Sequence, residues 1–95
     1  MARLDPLIHA PARLQVVTTL SAVSEAEFLT LRTALDVSDS VLSKHISALA
    51  DAGYVRSRKS VRAGRRTTWI ALTPAGRQAL REHVAALREL IADVD

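Results

Sequence analysis

The sequence predicts a mainly α-helical domain with one small β-hairpin. Three observations predict it. Apolar residues recur at helical spacing through most of the chain. β-forming residues gather between positions 55 and 72 around a single glycine. The chain holds one Phe, one Trp and one Tyr, so its core must be built from Leu, Val, Ile and Ala, which suits helix-on-helix packing. Ninety-five residues make one domain. Its small core would gain stability from a partner chain. The apolar share of 48% and charged share of 24% fit a globular protein and argue against a disordered one.

Asp5 and Pro6 mark a helix start, as N-cap and first helical residue. Pro11 ends this helix near His9 or Ala10 and opens a second, with Leu14, Val17, Leu20 and Val23 on one stripe. Residues 21–27 read as a polar connection. Phe28 and Leu29 are expected to form a very short strand, and Thr30 to cap a helix carrying Leu31, Ala34 and Leu35. Asp36 breaks that helix, because Asp tolerates a left-handed or turn conformation. Ser38 caps the next helix, 38–52, whose inner stripe is Leu42, Ile46 and Leu49; Gly53 follows at its C-terminal cap. Val55, Val61, Thr67, Thr68, Trp69 and Ile70 are β-formers, and Arg62-Ala63-Gly64-Arg65-Arg66 is the basic turn between them. The hairpin therefore spans 55–72. Thr73 and Pro74 start a last helix, 74–93. This order is that of a winged helix-turn-helix domain over residues 1–95, without internal repeats or a linker.

Charge is distributed unevenly. The net charge is only +3, yet no acid lies between Asp51 and Glu82, a stretch holding Arg56, Arg58, Lys59, Arg62, Arg65, Arg66, Arg77 and Arg81. Such a field attracts a polyanion; the plainer alternative is a solvated basic loop. Cysteine is absent, which excludes disulfides, thiolate zinc sites and cysteine nucleophiles. His9, His45 and His83 are far apart in the sequence and have no clustered acids, and there is no phosphate-binding glycine loop. No enzyme, cofactor or metal site is expected. No apolar run approaches the ~18 residues of a membrane span. The first residues lack the apolar segment of a secretory signal, so a cytoplasmic location is expected.

The helix 38–52 divides into an inner apolar stripe and an outer face of Asp39, Ser40, Ser43, Lys44 and Ser47. Short outer side chains let a helix approach DNA closely. Lys44 suits a phosphate or the acceptor edge of guanine; Ser40, Ser43 and Ser47 can donate to bases or phosphates. The backbone N–H groups around Ser38 suit a phosphate. Asp39 would repel phosphate, so it is expected to stabilise the helix terminus or to accept from a cytosine amino group. His45 is read as a packing residue. Six of the eleven residues from Arg56 to Arg66 are basic. Arg62, Arg65 and Arg66 flank the hairpin tip, where arginines can enter a minor groove. Strand alternation sends Arg56 and Arg58 to one face and Lys59 to the other. Trp69 is read as a core or interface anchor. Double-stranded DNA is the expected partner; a protein–protein module is the rival, and double-stranded RNA a weaker one.

The last helix carries Leu80, Val84, Leu87, Ile91 and Val94 at spacings of four, three, four and three, a heptad seam. With Leu4, Leu7, Ile8 and Leu90 it offers a homodimer interface. A two-fold dimer would place its reading helices about 34 Å apart on a near-palindromic operator.

Residues 30–53 resemble the helix-turn-helix of MarR-like and ArsR-like bacterial transcriptional regulators. The closer likeness is to the small winged helix DNA-binding regulators. It rests on Leu4-Asp5-Pro6, Ile8-His9, Pro11-Ala12-Arg13, Leu42-Ser43-Lys44-His45, Ala52-Gly53-Tyr54-Val55 and Thr68-Trp69-Ile70-Ala71-Leu72-Thr73-Pro74-Ala75-Gly76-Arg77. The resemblance implies a cytoplasmic homodimeric regulator that binds operator DNA. It places the recognition positions at Ser38, Asp39, Ser40, Val41, Ser43 and Lys44, and the wing at Arg62 to Arg66. Asp36 stands where Gly is usual, and Val41 where a polar residue is frequent.

Overall fold

The computed structural model describes residues 3–92 and residue 94. Helix α1 (Pro6–His9) is a single turn. Asp5 caps it, with one carboxylate oxygen accepting from the backbone N–H groups of Leu7 and Ile8 at 2.9 and 3.4 Å. Pro11 opens α2 (Pro11–Ser21), which buries Val16, Val17 and Leu20. Val23 lies past the end of α2 and is exposed, so the expected stripe stops at Leu20. Arg77 closes this end by donating to the carbonyls of Ser21 and Val23.

The next elements differ from expectation by two residues. Strand β1 is Ala26–Glu27, and Phe28 and Leu29 begin helix α3 (Phe28–Leu35) instead of forming the strand. Glu27 occupies the N-cap position without a side-chain bond, and Thr30 lies inside the helix. The cause is tertiary. Leu31 is fully buried, and Phe28, Leu31 and Leu35 recur at helical spacing along the face that packs on the core. That demand outweighs the strand preference of Phe28. Asp36 ends α3 in the left-handed region at φ 52°, as expected.

Ser38 caps α4 (Asp39–Asp51), accepting from the Val41 N–H at 3.2 Å. Leu42, Ile46 and Leu49 are buried on its inner face. Strands β2 (Val55–Arg62) and β3 (Arg65–Leu72) form an antiparallel hairpin, and the sheet order is β1-β3-β2. The turn is tighter than the expected five residues. Arg62 pairs with Arg65, leaving Ala63 and Gly64 at φ 52° and 76°, the two left-handed positions of a type I′ turn. Helix α5 (Pro74–Ile91) is capped by Thr73; Asp93, the expected end of this helix, lies outside the described residues.

The core joins Ile8, Val16, Val17, Leu20, Leu31, Leu42, Ile46 and Leu49 from the helices to Val55, Ile70 and Leu72 from the sheet. Each fully buried Leu or Ile contributes about 1.5–3 kcal/mol relative to an exposed one. Helix α5 packs on its own domain with three small residues and one histidine. Gly76, Ala79, His83 and Ala86 are buried, a row distinct from the expected heptad seam.

His83 corrects one reading of the sequence. The histidines are far apart along the chain, but the fold sets His9 and His83 edge to face, with ring centroids 5.4 Å apart. The backbone N–H of Asp5 donates to His83 Nδ1 at 2.9 Å, and Tyr54 Oη donates to the Asp5 carboxylate at 2.6 Å. The proton of neutral His83 therefore sits on Nε2, which meets no hydrogen-bonding partner among the described residues. Desolvation by burial holds the imidazole below its ordinary value of 6.5; His9 adds to this, and Asp5 opposes it. The unfolded chain then binds a proton that the folded chain refuses. The associated stability is full above about pH 6.5 and is lost as pH falls below that value. The denaturant midpoint should accordingly drop between pH 7 and 5. In an NMR titration His83 should show a midpoint below 6.5; a midpoint above it contradicts this account.

Candidate nucleic-acid interface

Helix α4 presents Ser40, Ser43, Lys44 and Ser47 to solvent, all exposed, on the side away from Leu42, Ile46 and Leu49. Ser38 is committed to its capping bond, and its hydroxyl lies 3.3 Å from that of Ser40. Asp39 is not a free carboxylate. Arg32 on α3 reaches across the turn and donates to Asp39 at 2.9 Å, so the acid beside the helix N-terminus is neutralised. Sequence reasoning missed Arg32. Its partner is seven residues on, and only the turn at Asp36 brings the two together. His45 is half-buried beside Arg13, as its packing reading implies. Burial, with the Arg13 charge, lowers its pKa.

The hairpin has two unlike faces. One carries Arg58 and Trp69, which pair across the strands. Arg58 stands over the Trp69 ring, 5.5 Å from its centroid. It also donates to both carboxylate oxygens of Glu25 at 3.1 and 2.5 Å. This bond is the chief cause that lowers the Glu25 pKa and raises that of Arg58. Arg58 is thus occupied within its own domain. The acid-free stretch of the sequence is partly neutralised by acids that β1 brings alongside.

The other face looks toward α4. Ser57, Lys59, Thr68 and Ile70 border an open cleft of about 450 Å³ shared with Phe28 and with Ser43, Ile46 and Ser47 of α4. Lys59 is the cation that sequence reasoning left out of the site. A signal was present: Lys59 has the strand parity of Val55, which is core-facing. At the tip, Arg62 and Arg65 are exposed and directly opposed, and Arg66 lies across from Val61. Like charges in that register repel one another. Arg65 has Glu27 only at 3.8 Å. Among the described residues, Lys44, Lys59, Arg62 and Arg66 enter none of the three ion pairs, Arg32–Asp39, Arg58–Glu25 and Arg65–Glu27.

The expected intersubunit residues fall into three groups, buried, half-buried and exposed. Ile8 is fully buried in the core of its own chain and is removed from that surface. Leu7 and Leu80 pack partly on the core, and Leu4, Val84 and Leu87 are half-buried. Ile91 is 63% exposed, as are its neighbours Leu90 and Val94 at 61% and 71%. Leu80 and Val84 line a hollow of about 520 Å³ with Ser21, Arg77, Arg81 and Arg88.

Two helices joined by a tight turn, then a basic two-stranded hairpin sharing a cleft with the second helix, define a winged helix DNA-binding protein. The chain belongs to the winged helix DNA-binding domain family, whose sequence model matches residues 12–91. It is 27% identical over 89 residues to an uncharacterised protein of Methanocaldococcus jannaschii, covering 94% of this chain and 97% of that one. A transcriptional regulator homologue from Pyrococcus horikoshii superposes with a TM-score of 0.89 at 26% identity, over 94% of this chain and 88% of that one. YusO of Bacillus subtilis shares the fold alone, at a TM-score of 0.73 and 18% identity; the match covers 86% of this chain and 57% of YusO. The likeness to small winged helix DNA-binding regulators read from the sequence is borne out. No described helix is long and apolar enough to cross a membrane.

Proposed function

We propose that the chain is a homodimeric, sequence-specific regulator of transcription that sets α4 in the major groove and the hairpin tip against the adjacent minor groove. The observation that carries the reading is the shared cleft. The short polar side chains Ser43 and Ser47 stand on one wall and Lys59 on the other, with Arg62, Arg65 and Arg66 at the hairpin's end. Phosphate contacts from these cations supply affinity, while Ser40, Ser43, Lys44 and Ser47 face the base edges. Asp39, paired with Arg32, no longer repels the backbone and keeps an oxygen to accept from a cytosine amino group.

Support for the dimer comes from α5. Its own domain takes the row Gly76, Ala79, His83 and Ala86, which leaves Ile91 and the outer sides of the half-buried Leu80, Val84 and Leu87 beside that row for a second copy. Leu4 and Leu7 extend this surface. A two-fold pair would address a near-palindromic site with half-sites about 34 Å apart. The reading is tested by titrating the protein onto a fluorescent random-sequence duplex over a range of salt. The logarithm of affinity should fall linearly with the logarithm of salt concentration. Absence of binding at low salt overturns the reading in favour of a protein–protein module. Light scattering should give twice the chain mass; a concentration-independent single-chain mass overturns the dimer.

A further inference from the structure

We propose that Val41 is a base-reading residue that selects thymine through the C5-methyl group. The inference rests on α4 being the major-groove helix and says what that helix reads. Val41 lies in the first turn of α4, the part of such a helix that meets base edges. Val41 is 42% exposed, while the other large apolar residues of α4, Leu42, Ile46 and Leu49, are buried. Its backbone N–H is fixed by the bond to Ser38 Oγ. A β-branched side chain in a helix has one strongly preferred rotamer, so the two methyl groups are held in place before any partner arrives.

The surroundings limit what this surface can contact. Ser40 and Lys44 are polar and exposed, and Asp39 is tied to Arg32. A phosphate or a base amino group beside Val41 would lose water and gain no hydrogen bond. Thymine alone presents an apolar group in the major groove. Covering a methyl group with the valine side chain is worth about a fourfold gain in affinity per contact.

The test uses the wild-type chain to enrich duplexes from a randomised pool. Each thymine of the enriched duplex is then replaced singly by deoxyuridine, which keeps the pairing and lacks the methyl group. One position per half-site should lose about fourfold in affinity. With Val41→Ser, an exposed substitution that leaves the core untouched, that loss should disappear while binding at other positions is retained. Methyl dependence at no position, or a dependence that persists unchanged in Val41→Ser, overturns the assignment while leaving the DNA reading intact. Failure of the wild-type chain to bind or enrich any duplex overturns both.

Discussion

Replacing Arg65 and Arg66 together with alanine should flatten the salt dependence of duplex binding by about two units per chain, and so by about four for a bound dimer, one for each phosphate that no longer meets a cation. Affinity at low salt should fall by roughly tenfold or more, and the difference should shrink as salt rises. The hairpin tip makes this a clean experiment. Its shape is set by the left-handed pair Ala63 and Gly64, which neither substitution touches. Arg65 opposes Arg62, so its removal relieves repulsion. Its link to Glu27 at 3.8 Å is a long, exposed pair of the kind that adds little to stability. Thermal stability should therefore be unchanged or slightly higher. Arg58→Ala is the control. It removes one positive charge from the same hairpin, but from the face where Arg58 engages Glu25 and Trp69. If binding responds only to net charge, Arg58→Ala will change the slope as much as either tip arginine does. If the tip contacts phosphates, Arg58→Ala will change it much less.

The sequence carries the local decisions of this fold and loses the distant ones. The N-caps Asp5, Ser38 and Thr73 and the left-handed Asp36 depend on a few adjacent residues, and each stands where its neighbours place it. The start of α3 is not legible locally, because Phe28 and Leu29 favour a strand, whereas burying Leu31 and Phe28 together requires a helix. The hairpin is legible, but its register is not. Five basic and small residues admit several turns, and the pairing of Arg62 with Arg65 decides among them. Site electrostatics are the least legible. Glu25 and Glu27 lie 33 and 38 residues from Arg58 and Arg65, and only the antiparallel pairing of β1 with β3 brings them to the hairpin. Charge counted along the chain therefore overstates the cations available to DNA on the strand, where Arg58 is occupied, and does not reveal that Lys59 lines the cleft.

Gly76→Ala should destabilise the protein by about 1–3 kcal/mol, lowering the thermal midpoint by on the order of 10 °C. An exposed helical glycine would respond in the opposite direction, since alanine is the better helix former by about 1 kcal/mol. Here the sign is set by contact. Gly76 lies in the first turn of α5, where its N–H donates to Thr73 Oγ1 at 3.0 Å. A Cβ on Gly76 would overlap the carbonyl of Tyr54 and press on the Leu72 side chain. That carbonyl cannot simply swing aside, because it accepts from the Thr73 N–H at 3.0 Å, and Thr73 Oγ1 in turn donates to the Gly53 carbonyl. Relief requires α5 to move away from the start of β2, which would also disturb Tyr54 and its bond to Asp5. Gly53→Ala separates this overlap from ordinary backbone strain. Gly53 has φ 79° and open space around it, so alanine there meets only the left-handed penalty of about 1–2 kcal/mol. A Gly76→Ala protein as stable as wild type, measured by chemical denaturation beside Gly53→Ala, would contradict this account and mean that the overlap with the Tyr54 carbonyl is relieved at no net cost.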